Sequence, residues 1–444
     1  MTTRSTRSPR RRTVVALAIV LAVLATFVVR LVDIQVVNAK TNVDDSLAYG
    51  LGATQTLTGT RGTIVDANGD VLASSTLVYD CQLSPMNIAQ IGTKGSPDRT
   101  PWSSVSDKIA AITGQSGDTV RKLVADALAV NANSQYALLG RGYTTDQYRK
   151  LMELGTSYIA CTPQPSRTYP NGAVAGNLLG FMSSAGKPQA GIEQIENQCL
   201  SATNGTMSFE RGKDGVIIPG TETEKPAVDG GTVKLTIDTD LQWYMGQLIA
   251  QGVQDMQAQY GTITVVDVKT GQIKAAAEYP TVDPNNINAS KPDNWYSKIF
   301  GSQFEPGSTF KGLLASMLID HSGQSPTSTA LVSDPERFPN GAVVHDSFSH
   351  PTYDYTLAGV LIDSSNAGAS VFSQRINPND RYAYLKKFGI GDGSDIGFPG
   401  ETQGVIHPVK DWDNQMLYDT SYGQGLTTTV PELVEAYDAI ANGG

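Results

Sequence analysis

Histidine and cysteine are scarce in this chain of 444 residues, and that scarcity removes whole classes of chemistry. The four histidines, His321, His345, His350 and His407, show neither the H-x-x-x-H nor the H-E-x-x-H spacing of a zinc-binding helix. The three cysteines, Cys81, Cys161 and Cys199, are too few and too scattered for a metal cage or a disulfide-dense scaffold. They leave room for one bridge and one leftover thiol, in a pairing the sequence does not fix. No structural or catalytic metal and no cofactor is therefore expected. Basic charge is also short over most of the chain. Six of the 33 basic residues, Arg4, Arg7, Arg10, Arg11, Arg12 and Arg30, lie in the first thirty positions, so 27 remain against 43 acidic groups. An acidic remainder lacks the electrostatic footprint of a nucleic-acid binder.

One long uncharged run is present. Thr13 to Val29, "TVVALAIVLAVLATFVV", is at the short end of what spans a bilayer, and Arg30 and Asp33 lengthen it if their side chains snorkel outward. The arginine cluster before it places residues 1–12 in the cytoplasm and the bulk of the chain outside. A cleavable signal peptide is the competing reading, with "VLA" before Thr26 as the cut site. Beyond the anchor, set at residues 13–33, the character changes near residue 230. Residues 34–229 mix short strand-like runs, including "RGTIVDANGDVLASS" with Asn68-Gly69 as a hairpin turn, with helical stretches such as "SVSDKIAAITG". After it "TVKLTID" reads as a strand, a helix runs from Leu241 to about Gln259, and "TITVVDVKTGQIKAAAEY" gives two strands across a tight turn.

The segment "FEPGSTFKGLLASMLID", residues 304–320, carries a single lysine, Lys311. Phe310, Leu313, Leu314, Met317 and Leu318 recur at helical spacing, so the segment predicts a helix with one broad apolar stripe, opened by Pro306 and Gly307. Ser308 and Lys311 are three apart and share a face, and the small residues Gly312 and Ala315 beside them are expected to leave room next to the serine. A serine hydroxyl needs a nearby base to act as a nucleophile. A lysine desolvated in an apolar helix has its pKa pushed down and can take that proton. The helix N-terminus favours the negative charge that builds during attack on a carbonyl. A second Ser-x-x-Lys, Ser184 and Lys187, lies among glycines without helical pattern and reads as a decoy. Further on, "LIDSSNAGAS" places Ser364, Ser365 and Asn366 at a helix end or short interhelical loop. A hydroxyl at Ser364 can pass a proton between Lys311 and an amine, and the Asn366 amide can position Lys311 and hold a substrate carbonyl.

Together, "EPGSTFK" and "SSN" resemble the first two motifs of the penicillin-recognising acyl-serine transferases. The resemblance narrows to class B penicillin-binding proteins, monofunctional peptidoglycan D,D-transpeptidases. Their membrane-proximal module is matched at Arg61, Gly62, Asp66, Asn68, Gly69, Arg167, Tyr169, Pro170, Gly191 and Glu193, and their transpeptidase half at "LTIDTDLQ", "VVDVKTGQIKAAAEYP", "FGIGDGSDIGFPGE" and "YGQGLTTTVPELVEAYDAIANGG". Ala67 departs from the pattern, where an arginine is frequent. The resemblance implies a multidomain α+β protein: a single transmembrane helix, an irregular α+β pedestal (34–229) and an α/β transpeptidase domain (230–444) with an antiparallel sheet between helices. It implies Ser308, Lys311, Ser364 and Asn366 as catalytic residues, with Ser308 and Asn366 also binding substrate. Stem peptides and beta-lactams are the implied ligands, and membrane proteins of wall synthesis or the division machinery the implied partners, with a lean towards septation.

The family's third motif, Lys-Thr-Gly or Lys-Ser-Gly, supplies a substrate-binding cation and one oxyanion-hole amide. Lys269-Thr270-Gly271 spells it but precedes Ser308 and falls in the first hairpin turn, so it is rejected in that role. The expectation is that the true motif lies past Gly444 and that these residues are a fragment with impaired activity, since one oxyanion donor is worth about 10²- to 10³-fold in rate. Two rival readings are a serine beta-lactamase, against which the long pedestal argues, and a non-catalytic membrane-anchored scaffold.

Overall fold

The computed structural model describes residues 9–33, 37–38, 52–93, 96–210 and 218–443. Most of the expected cytoplasmic tail, up to residue 8, and Gly444 lie outside them. The described residues fall into two compact units, 1–59 with 202–229, and 60–201 with 230–444.

The first unit holds helix α1 (Pro9–Val32) and a three-stranded antiparallel sheet of β1 (Gly52–Leu57), β6 (Gly205–Glu210) and β7 (Thr223–Lys225). The helix begins ahead of the apolar run and carries it whole, with Thr13–Val32 exposed throughout. At its end Arg30 and Asp33 pair at 2.7 Å, so the two charges expected to flank the apolar span lie one turn apart and offset each other.

Among the described residues the second unit holds one five-stranded sheet, three two-stranded ones and three apolar cores. A five-stranded sheet centres on β3 (Val71–Leu83), which pairs with β2 (Ile64–Val65), β4 (Ala137–Tyr143) and β5 (Ile159–Thr168); β8 (Val233–Lys234) lies parallel to β2. The expected strand "TVKLTID" is thus only two residues long, because Asp238 caps the next helix by accepting from the Leu241 amide. Cys81 and Cys161 stand directly opposite on β3 and β5 and form a disulfide, leaving Cys199 free and exposed. Helices α2 (Trp102–Thr113), α3 (Gly117–Val130) and α4 (Thr145–Glu153) cover this sheet through Ile109, Val120, Val124 and Leu151.

The Asn68-Gly69 turn joins β2 to β3 as expected. Asp66 builds it, Oδ1 accepting from the amides of Asn68, Gly69 and Asp70. Its other oxygen accepts from the amide and hydroxyl of Thr239, the first residue of helix α5 (Thr239–Asp255). One buried carboxylate therefore fastens the hairpin to that helix. Burial opposes its charge, but these hydrogen bonds outweigh it and hold the Asp66 carboxyl below its ordinary range. The predicted hairpin follows as β9 (Gly261–Asp267) and β10 (Gln272–Tyr279), on which α5 packs.

Helix α6 (Phe310–Ser322) buries a face wider than the apolar stripe alone, with Phe310, Lys311, Leu313, Leu314, Ala315, Met317 and Leu318 all buried, while Ile319, Asp320 and His321 are exposed. It is the axis of the largest core, surrounded by Val360, Ala367, Phe372, Tyr418 and Ala436 from later helices. The expected space beside Gly312 is filled. A side chain there would collide with Tyr437 of helix α9 (Val430–Asn442), whose hydroxyl donates to the Thr309 carbonyl.

Candidate active site

Ser308 sits in a 3₁₀ turn, Gly307–Thr309, that feeds directly into α6. The turn is held from outside: the Gly307 amide donates to the Gly423 carbonyl at 2.9 Å, and the Gly425 amide donates to Glu305 at 2.9 Å. Gly423 has φ +80°, and any Cβ there would strike the Gly307 backbone, so only glycine permits this approach. The serine is exposed while Lys311, one turn on, is 2 % exposed. The nucleophile candidate thus faces solvent and its partner faces the core.

Four oxygens surround the Lys311 ammonium: Ser308 Oγ at 2.8 Å, Ser364 O at 2.8 Å, Ser364 Oγ at 3.1 Å and Asn366 Oδ1 at 2.6 Å. The structure therefore brings together all four residues singled out in the sequence. Ser364 lies between helices α7 (Leu357–Ile362) and α8 (Asn366–Ser373) with φ +53°, a conformation that costs a non-glycine residue about 1–3 kcal/mol. That twist turns both its carbonyl and its hydroxyl towards the lysine. No carboxylate pairs directly with Lys311 among the described residues. Burial pushes its pKa down to about 8, with Asp346 pulling weakly the other way.

Asp346 and His350 were not singled out for this chemistry. Asp346 follows the short hairpin of Glu336–Arg337 and Val343–Val344, and its carboxylate accepts from Ser365 Oγ at 2.6 Å, the Ala367 amide at 2.9 Å and His350 Nε2 at 3.0 Å. His350 Nδ1 lies 2.7 Å from the Pro351 carbonyl. Burial opposes charge on both groups, yet the hydrogen bonds prevail: Asp346 is held below its ordinary value and His350 is raised above its own. Since Ser365 caps α8, this ion pair anchors the first turn of the helix that presents Asn366. The only trace in the sequence is Asp346 and His350 four apart in a loop.

The other candidate motifs lie elsewhere. Ser184 and Lys187 are exposed on a tight turn in which the Ser183 amide donates to the Lys187 carbonyl, and no hydrogen bond joins their side chains among the described residues. Lys269-Thr270-Gly271 occupies the β9–β10 turn, where the amides of Lys269 and Thr270 donate to Asp267.

The chain matches two family models, the penicillin-binding protein transpeptidase domain over residues 261–444 and the penicillin-binding protein dimerisation domain over residues 56–235. It is 31% identical to penicillin-binding protein PbpB of Mycobacterium tuberculosis, over 99% of this chain and 68% of that protein. The chain belongs to the class B penicillin-binding proteins. PbpB of Mycolicibacterium smegmatis is 30% identical over 96% of this chain and 67% of its own length, and the peptidoglycan D,D-transpeptidase FtsI of Escherichia coli is 25% identical over 96% and 70%. This class B protein spans about two thirds of the length of these relatives. Among solved structures, a peptidoglycan synthetase from Bifidobacterium adolescentis superposes with TM-score 0.64 at 30% identity, covering 88% of this chain and 73% of that one. Penicillin-binding protein 3 of Mycobacterium tuberculosis, complexed with aztreonam, gives TM-score 0.62 at 26% identity, covering 88% and 66%.

Proposed function

We propose that Ser308 is the acylated nucleophile and Lys311 the general base of a peptidoglycan D,D-transpeptidase. The protein is a penicillin-binding, serine-type transpeptidase by family; the proposal assigns the steps to residues. The observation that carries it is the set of acceptors around Lys311. A neutral amine has two N–H donors and one lone pair. The Ser364 carbonyl and Asn366 Oδ1 take the two hydrogens, which leaves the lone pair for the Ser308 hydroxyl at 2.8 Å. With a pKa of about 8, roughly a tenth of the lysine is in this form at pH 7, close to the working range of a general base.

Ser308 Oγ attacks the carbonyl of the penultimate D-alanine of a stem peptide, and its proton moves to Lys311 Nζ. The peptide bond breaks, and the terminal D-alanine leaves with that proton, relayed through Ser364 Oγ. An amine from a neighbouring strand then attacks the ester, giving its proton back along the same path and releasing Ser308 as the cross-link forms. The start of α6 favours the negative charge on the attacked carbonyl oxygen, and Asn366 both fixes the lysine and offers its amide to substrate. A beta-lactam undergoes the first half only, its ring amide opening to an ester on Ser308.

The proposal extends to placement. Helix α1 is long and apolar enough to cross a membrane once, and the arginines before it favour a cytoplasmic N-terminus with the site outside. A pedestal over 34–229, a transpeptidase domain from 230, and docking to other membrane proteins of wall synthesis belong to the same reading. The test is labelling of the protein in its native membrane with a fluorescent penicillin, followed by peptide mass spectrometry. Label on Ser308, lost in Ser308→Ala and kept in Ser184→Ala, is expected; label elsewhere overturns the assignment.

A further inference from the structure

Beyond its four oxygens, Lys311 has an aromatic neighbour. Its nitrogen stands over the ring of Tyr422, 6.0 Å from the centroid. That is the outer reach at which the electron-rich face of an aromatic ring attracts a cation, and the attraction strengthens where water is excluded. Both side chains are buried. The Tyr422 hydroxyl donates to Asp419 Oδ1, which also accepts from Gln415 Nε2 at 2.9 Å, so the ring is anchored at its hydroxyl end. Burial, and then Asp419, push the Tyr422 pKa upward, and the ring stays neutral. Its backbone leads straight into Gly423, whose carbonyl accepts from the Gly307 amide. The residue facing the lysine is thereby tied to the turn that carries Ser308.

The oxygens around Lys311 serve both of its forms. The Ser364 carbonyl and Asn366 Oδ1 accept from ammonium and neutral amine alike, and the hydroxyls of Ser308 and Ser364 can turn from acceptor to donor. A ring face attracts the ammonium alone. The other titratable groups about the first turn of α6 are committed elsewhere: Asp346 to His350, Ser365 and Ala367, Glu305 to the Gly425 amide, and the Tyr437 hydroxyl to the Thr309 carbonyl. Two influences therefore oppose burial, the Asp346 charge acting from a distance and the Tyr422 face.

We propose that Tyr422 is a positioning residue for the general base, its ring face favouring the ammonium and so fixing how much of Lys311 is free to take the Ser308 proton. Without the ring, burial leaves a larger share of neutral amine. This role rests on Lys311 acting as the base proposed above.

The test reads the charge of Lys311 directly, by NMR titration of its Cε resonance in the purified full chain in detergent, carbon-labelled at lysine; the resonance is the one lost in Lys311→Arg. Tyr422→Leu keeps the apolar cover but removes the ring face, and should move the midpoint down by about half a pH unit. Tyr422→Phe keeps the ring and loses only the hydroxyl bond to Asp419, so it should lower the melting temperature yet leave the midpoint in place. Tyr422→trifluorophenylalanine keeps the shape while depleting the ring face of electrons. It should move the midpoint as Tyr422→Leu does, and decides the matter if the leucine variant does not fold by circular dichroism. A midpoint unmoved or raised in the folded variants, or lowered as far by Tyr422→Phe, overturns this role alone. The pH profile of beta-lactam acylation, recorded on the same proteins, should follow the Lys311 midpoint. A profile that stays put while the midpoint moves overturns Lys311 as base, and the role of Tyr422 with it.

Discussion

His350 donates to Asp346 at 3.0 Å, and both side chains are 1% exposed. The pair stands behind Ser365 and the first turn of α8, so it acts on chemistry only through the residues that turn presents. Asp346→Asn keeps the shape but weakens the charge-assisted bonds to Ser365 and Ala367, and should slow acylation by a beta-lactam about 10- to 100-fold, the equivalent of one to two such bonds. Stopped-flow measurement of the acylation rate constant checks it; an unchanged rate shows that the α8 turn holds Asn366 unaided.

The same pair sets a pH window for stability. His350 is raised above its ordinary 6.5, so its contribution is complete below that value and is lost as pH rises through the folded value. Asp346 is held below its ordinary 3.8, so its contribution is complete above that value and is lost as pH falls through the folded one. The difference in melting temperature between the protein and His350→Gln should therefore be largest between about pH 4 and 6.5 and shrink on the alkaline side. A difference that grows above pH 7 would contradict this.

Lys311 gives a second pH dependence of opposite use. With a pKa of about 8, its neutral form accumulates as pH rises, so the acylation rate constant should climb through pH 7 and level off above 8. Lys311→Arg, always charged, should lose about 10²- to 10⁴-fold and flatten the profile. The pH profile of acylation separates this from simple misfolding, which lowers the whole curve without moving its midpoint.

Much of this site was legible in the sequence because its parts are local. Ser308 and Lys311 announce themselves by one helical turn in an apolar setting, and Ser364 and Asn366 by a break between two helical patterns. The apolar stripe of α6 is buried as its spacing predicts, but periodicity does not show that the space beside Gly312 is filled, because the filling atoms come from Tyr437 far along the chain. Asp346 and His350 escaped for the same reason. Their partner, Ser365, lies beyond a strand (Tyr353–Thr356) and helix α7, and nothing in "HDSFSH" states that the loop will be buried. The strand "TVKLTID" was overcalled because the capping role of Asp238 depends on where the following helix begins.

The contact between Gly312 and Tyr437 yields a fourth prediction. Gly312→Ala should destabilise by about 1–3 kcal/mol through overpacking. Tyr437→Phe removes the hydroxyl that occupies the space, and the double variant should recover part of the loss. Denaturant melts of the four proteins form the cycle, and strict additivity would show that the two side chains do not meet.

The Cys81–Cys161 bridge closes a loop of 80 residues on paired strands, so its removal should cost about 2–4 kcal/mol, chiefly by freeing the unfolded chain. Replacing both cysteines by alanine should lower the denaturation midpoint while leaving the penicillin acylation rate within twofold, since neither residue approaches Lys311. A large loss of acylation in a protein still folded would tie the bridge to the site.

The hold of Gly423 and Gly425 on the serine turn also sets an order of events during synthesis. Glu305 and its partner Gly425 are 120 residues apart, so the ribosome delivers Ser308 long before the segment that fixes its turn. At a few residues to about twenty per second, the interval is several seconds to tens of seconds. Throughout it the serine and lysine share a helix whose opening turn is not yet shaped. The turn that presents Ser308 is thus completed late, when the enclosing segment arrives.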